Sequence, residues 1–160
     1  ARNKYPMAYS GMFYPKFPKK YKGNAQNIVW RSLWEKSVMH WLDENPAVVQ
    51  WSSEEVIIPY ICKTDNRPHR YFCDFLAKFD TGITMLIEVK PDSQIRKPVV
   101  AGKKMSKTLV ESVSTYAKNV SKWEAAEAYC KKNGWVFQIW GETALSRLGI
   151  KYSNNPSKNK

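Results

Sequence analysis

Two carboxylates and a lysine, Asp74, Glu88 and Lys90, are the residues of this 160-residue chain whose types and spacing could do chemistry. They stand on two strand-like segments, 70–79 and 83–90, joined by Asp80-Thr81-Gly82. A three-residue connection ending in Gly is a favoured hairpin loop, because Gly takes the left-handed position that closes it. With Thr81 at the centre, Phe79 pairs with Ile83 and Asp74 falls opposite Glu88. Side chains so paired have Cβ atoms about 4.5–5.5 Å apart. Lys90, two residues beyond Glu88, shares their face. Facing carboxylates repel each other, and a hard divalent cation, Mg2+ or Mn2+, would offset that repulsion. Such an ion polarises a phosphate and lowers the pKa of an attacking water, while Lys90 could hold the water or stabilise the developing charge. The expected chemistry is metal-dependent phosphodiester hydrolysis. The competing reading is an exposed hairpin with ordinary surface charges, and the apolar run Met85-Leu86-Ile87 before Glu88, typical of an internal strand, speaks against it.

The elements around the hairpin must position it. Its other face, Cys73, Phe75, Ala77 and Phe79 against Ile83, Met85, Ile87 and Val89, is uninterruptedly apolar and calls for a covering helix. A register slip by one would bury the charges instead. Trp30, Trp34, Val38 and Trp41 form an apolar stripe that predicts a helix over 27–43, ended by Asn45-Pro46. A helical turn or loop through Trp51 follows, then a strand over 55–60 and a turn at 65–68. After Pro91 and a basic loop, residues 103–133 are helical in pattern, with a candidate break near Val120 and Gly134 as C-cap. A strand over 135–140 and a short helix over 142–148 complete a single α/β domain, residues 24–150. Its expected architecture is a mixed sheet of four or five strands flanked by helices. A basic aromatic arm, 1–23, precedes it, extended because of Pro6, Pro15 and Pro18. A disordered basic tail, 151–160, follows.

The formal net charge is +12. The arm holds six basic and no acidic residues, and 147–160 holds four and none, whereas 24–90 has seven against nine. Basic ends around a near-neutral body suit a polyanion partner. Lys107 and Lys118 are 11 apart, close to three helical turns, so Lys103, Lys107 and Lys118 could form one phosphate-binding stripe, with Lys104 and Lys122 nearby. A solvated helix face fits the same lysines. The tryptophans follow core spacing better than a base-stacking role. No run of 18 apolar residues suits a membrane, the N-terminal stretch lacks signal-peptide character, and a cytoplasmic location is expected. Cys62, Cys73 and Cys130 are an odd number without C-x-x-C spacing, and His40 and His69 stand in unrelated contexts, so neither a disulfide framework nor a zinc site is expected.

At Asp74 and Glu88-Val89-Lys90 the chain resembles the PD-(D/E)XK nuclease superfamily, with Cys73 where that signature has Pro. Tyr9-Ser10-Gly11-Met12-Phe13, Arg31-Ser32-Leu33-Trp34-Glu35, Trp51-Ser52-Ser53-Glu54, Ile58-Pro59-Tyr60 and His69-Arg70-Tyr71-Phe72 are similar to the head completion nucleases of T-even-like tailed phages. A more distant similarity, through Lys122-Trp123-Glu124-Ala125-Ala126, is to the endonuclease subunit of bacterial transposons. The resemblance implies a restriction-endonuclease-like fold and an endo- and exonuclease acting on double-stranded DNA at head completion and head–tail joining, in the host cytoplasm and then the virion neck. It implies portal or neck proteins as partners and no small-molecule cofactor. It implies Asp74, Glu88 and the Val89 carbonyl as metal ligands, Lys90 beside the nucleophile, Glu35 as an assisting acid from the preceding helix, and an approach of Lys122 to the site. The alternatives are a structural head–tail joining or DNA-binding protein on a nuclease fold, and a transposon-type subunit that cuts with a partner.

Overall fold

The computed structural model describes residues 10–152, so the first nine residues of the arm and nearly all of the tail lie outside the described residues. The chain runs through β1 (Gly11–Phe13), β2 (Ile28–Trp30), α1 (Leu33–Glu44), β3 (Val48–Ser53), β4 (Ile57–Cys62) and β5 (Arg67–Phe72). It continues through β6 (Phe75–Phe79), β7 (Thr84–Val89), α2 (Asp92–Ile95), α3 (Lys107–Asn133), β8 (Val136–Trp140) and α4 (Glu142–Arg147). The central sheet has the order β3-β6-β7-β8, with β8 parallel to β7 and the other pairs antiparallel.

The hairpin takes the register its loop dictates. Phe75 pairs with Ile87 and Ala77 with Met85, and the Phe79 N–H donates to the Ile83 carbonyl at 2.8 Å. Gly82 closes the turn with φ of +90°. Phe75, Ala77 and Ile87 enter a core built with Trp34, Val38, Met39 and Leu42 of α1. Leu86 enters a second core with Trp123, Ala126 and Cys130 of α3. Both faces are thus covered, which makes β6 and β7 interior strands.

Four expectations are corrected. The strand expected over 70–79 is two strands, because β5 pairs with β4 in a separate ribbon and the chain must bend at Cys73-Asp74 to enter the sheet. Cys73 therefore leaves the Phe75 face and packs with Tyr71 and Leu86. The segment through Trp51 is an edge strand, since its backbone finds β6 as partner. Trp30 belongs to β2, because Ser32 starts α1 later: its Oγ accepts the Glu35 N–H at 3.1 Å, and the Glu35 carboxylate accepts the Arg31 N–H at 3.0 Å. Finally, α3 is continuous through Val120. Ser121 there bonds back to the Ala117 carbonyl and receives the Lys63 N–H, and Gly134 caps the helix with φ of +71°.

Residues of the arm that are described pack into the main body. Phe13 and Tyr21 are buried beside Trp51. Asp43, 1% exposed, accepts the N–H groups of Lys16 and Phe17, which satisfies a buried carboxylate with backbone donors.

At the exit of β7 the chain is clamped against α4. Gly141 is buried there, and a Cβ on it would overlap the Asp92 carboxylate and lie 3.0 Å from the Lys90 carbonyl. Gly141→Ala is therefore expected to lower stability by about 1–3 kcal/mol. In urea unfolding the cost should shrink in an Asp92→Ala background, where the overlapping group is gone.

Candidate active site

The site is assembled where β7 ends, Asp74 enters β6 and α1 begins. Asp74 sits at the joint before β6, one residue beyond the last ladder pair, Phe75 with Ile87, and close enough to Glu88 to feel its charge. Its Oδ2 accepts the Val89 N–H at 2.8 Å, so the carboxylate is fastened to the neighbouring backbone. Glu88 is only 7% exposed, and its Oε1 lies 3.9 Å from the Cys73 sulfur. The Lys90 ammonium stands 3.7 Å from Glu88 Oε2. Lys90 is held by its backbone as well: its N–H donates to Trp140, and Asp92 next along the chain engages both Glu142 and Thr143 of α4.

Burial and mutual repulsion govern the electrostatics. Burial raises Asp74 well above the ordinary carboxylate range, and the charges of Glu88 and Glu35 push it further in the same direction. Glu35 is raised to about 7, first by burial and then by Glu54 and Glu88, against the lowering effect of the Arg31 N–H. Asp74, Glu88 and Glu35 are therefore one cluster, drawn from a strand joint, a strand and a helix start.

Lys122 of α3 belongs to its surroundings. Burial lowers its pKa, the Lys90 charge lowers it further, and Glu88 acts in the opposite direction. Its ammonium lies 5.7 Å from the centre of the Tyr71 ring. Lys118 is exposed one turn earlier. Lys103 and Lys104 lie on the exposed loop before α3, and Lys107 is its first residue, roughly 22 Å along the helix axis from Lys122. The structure thus gathers Lys90 and Lys122, sets Lys118 one turn away, and leaves Lys103, Lys104 and Lys107 at a distance.

Two residues that entered the sequence reading only as parts of the resembling motifs, with no role assigned, are joined in the structure. Arg31 grips Glu54 through two bonds of 3.2 and 3.3 Å, and Glu54 in turn raises Glu35. The Glu54 backbone is left-handed, with φ of +57°, and its N–H donates to the Asp74 carbonyl at 3.0 Å. A non-Gly residue with positive φ is uncommon, and here it couples β3 to the joint that carries Asp74. Glu54 stands in a stretch without periodic pattern, so its place in the resembling motif carried no hint of a partner.

Three carboxylates with one neighbouring lysine form an oxygen-rich, electron-rich donor set, and that chemistry fits a hard divalent cation. Among the described residues, the group of three ligand-type side chains drawn to within 4.8 Å of one another lies elsewhere: Cys62, Asp65 and His69 on the β4–β5 ribbon. His69 is thus not in an unrelated context, contrary to expectation.

The N-terminal domain of TnsA-like endonucleases matches residues 45–142, a span that contains Asp74, Glu88, Lys90 and Lys122. The chain belongs to that endonuclease family. The nuclease is also 38% identical over 148 residues, 91% of its own length and 99% of the relative, to the Head completion nuclease of Enterobacteria phage T4. That alignment covers more than the family match, which begins after Glu35. No solved structure matches the nuclease.

The raised carboxyl groups set a pH dependence. A folded-state pKa above the unfolded one means that the folded nuclease holds protons the unfolded chain has released, so stability falls as pH rises from the ordinary carboxylate range through about 7. Chelator-treated protein should melt lower at pH 8 than at pH 5. Asp74→Asn, which keeps an acceptor for the Val89 N–H, should raise the melting temperature at pH 8 by about 2–4 °C per kcal/mol of repulsion removed.

Proposed function

We propose that this nuclease hydrolyses phosphodiesters of double-stranded DNA with a divalent cation held by Asp74, Glu88 and the Val89 carbonyl, and that it does so at phage head completion and head–tail joining. The observation that carries the proposal is the convergence of Asp74 and Glu88 at the end of β7, where Asp74 Oδ2 accepts the Val89 N–H at 2.8 Å and the Lys90 ammonium stands 3.7 Å from Glu88. Bound there, Mg2+ or Mn2+ supplies a Lewis acid for the phosphate and lowers the pKa of a water. Lys90, braced by β8 and α4, aligns the attacking water and meets the charge growing on the phosphate oxygens. Glu35 engages Arg31 through Oε2, which leaves Oε1 to hold the water or its proton. The place in head completion is drawn from the name of the T4 relative. Work in the host cytoplasm and the neck of the virion, beside portal or neck proteins, follows from the same reading.

Substrate would reach the carboxylates along α3. Lys118 and Lys122 lie one turn apart and lead toward Lys90, while Lys107, Lys104 and Lys103 extend the basic surface to the start of the helix. Lysines meet phosphates and carry no base information, so binding is generic in sequence.

Plasmid nicking in Mg2+ tests the assignment. Asp74→Ala and Glu88→Ala are expected to abolish it with circular dichroism unchanged, and Lys90→Ala to slow it by about 10²–10³-fold. Retention of Mg2+-dependent nicking in both acid variants would refute it. In binding titrations against salt, Lys118→Ala and Lys122→Ala should each reduce the slope of log K on log salt by about 1, equally on unrelated duplexes.

A further inference from the structure

We propose a second metal site, independent of the carboxylate cluster, at the tip of the β4–β5 ribbon: a soft divalent transition metal of the Zn2+ class held by Cys62 Sγ, Asp65 and His69. The ribbon register pairs Cys62 with Arg67 and Tyr60 with His69, so Cys62 and His69 point to one face, two residues apart along the ladder. The connecting loop turns through Asn66, whose φ is +57°, and folds Asp65 back over that face. Asp65 Oδ1 accepts the Arg67 N–H at 3.0 Å, which presents Oδ2 to His69 Nε2 at 2.7 Å. One sulfur, one imidazole nitrogen and one carboxylate oxygen thereby lie within 4.8 Å of one another.

The donor types choose the ion. Thiolate and imidazole favour Zn2+ over Mg2+, and three protein ligands leave a fourth tetrahedral position for water. The Thr64 hydroxyl lies 3.0 Å from the Cys62 sulfur, within hydrogen-bond reach of it. Cys62 is 2% exposed, while the side chains of Asp65 and His69 are 40% and 41% exposed, so an ion would be anchored from below and reached from solvent. An exposed Asp–His pair by itself is worth little and needs no cysteine beneath it.

The site would brace the machinery it adjoins. The Lys63 N–H bonds Ser121 Oγ, and Lys63 also pairs with Glu124, so the ribbon tip is already seated on the turn of α3 that carries Lys122. The Cys62 sulfur is close enough to influence Lys122. A metal clip would fix that turn relative to Lys90.

Co2+ is a suitable probe, because a cysteine thiolate on cobalt gives a charge-transfer absorption that carboxylate ligands do not. Full-length protein stripped with chelator and titrated with Co2+ is expected to develop that band to saturation at one equivalent, to lose it on adding Zn2+, and to keep it in excess Mg2+. The band should survive in Asp74→Ala and Cys130→Ala and vanish in Cys62→Ser. His69→Ala and Asp65→Ala, both at exposed positions, should weaken cobalt binding about 10-fold or more, since loss even of outer-shell partners costs that much. Absence of the band in the unmodified chain, its persistence in Cys62→Ser, or undiminished affinity in His69→Ala would overturn the proposal. If Cys62→Ser fails to fold, the two exposed variants decide. Loss of nicking in Asp74→Ala with the band intact separates this site from the catalytic one.

Discussion

The structure is organised around carboxylates that repel each other and are nevertheless held together. Burying one uncompensated charge is expensive, and burying several of the same sign more so. Here Asp74, Glu88 and Glu35 converge, with Lys90 as the positive charge beside Glu88 and Asp74 and Arg31 as the one acting on Glu35. What keeps them in place is covalent and backbone geometry: the three-residue hairpin loop, the Val89 N–H on Asp74 and the Arg31 N–H on Glu35. A flexible assembly would relax by moving the acids apart. An interior strand pair, packed on one face by α1 and on the other by α3, does not allow that.

The supporting shell shows the same economy of parts. Glu35 closes the first turn of α1 and stands in the carboxylate cluster, so the residue that starts the helix also brings it to the site. Gly141 lets α4 approach the end of β7 closely enough for Asp92 to bridge them, which fixes the backbone on both sides of Lys90. Arg31 and Glu54 bind the approach of α1 to the end of β3. A functional group placed on a strand and braced through its neighbours holds its geometry better than one on a loop.

Cationic residues fall into two environments. Lys90 and Lys122 are partly withdrawn from solvent beside the acids, and burial lowers Lys122. The lysines at the start of α3 remain exposed, where they can meet a polyanion without desolvation cost. A 27-residue helix whose buried residues all lie from Asn119 onward carries both Lys122 and the exposed Lys107.

What the sequence determined by itself was local. Asp80-Thr81-Gly82 dictated the register of β6 with β7, and Gly134 marked the end of α3, because each depends on a few neighbouring residues. Ser32 and Glu35 held the true start of α1 in plain view, although the tryptophan stripe suggested an earlier one. Tertiary structure decided the rest. Whether Trp51 lies in a loop or a strand depends on an edge of β6 that only the folded sheet provides, and the bend at Cys73 exists because β5 and β6 take different partners. The Arg31–Glu54 grip and the meeting of Cys62 with His69 follow from such pairings, in which residues without periodic signal become neighbours only after the strands have chosen each other.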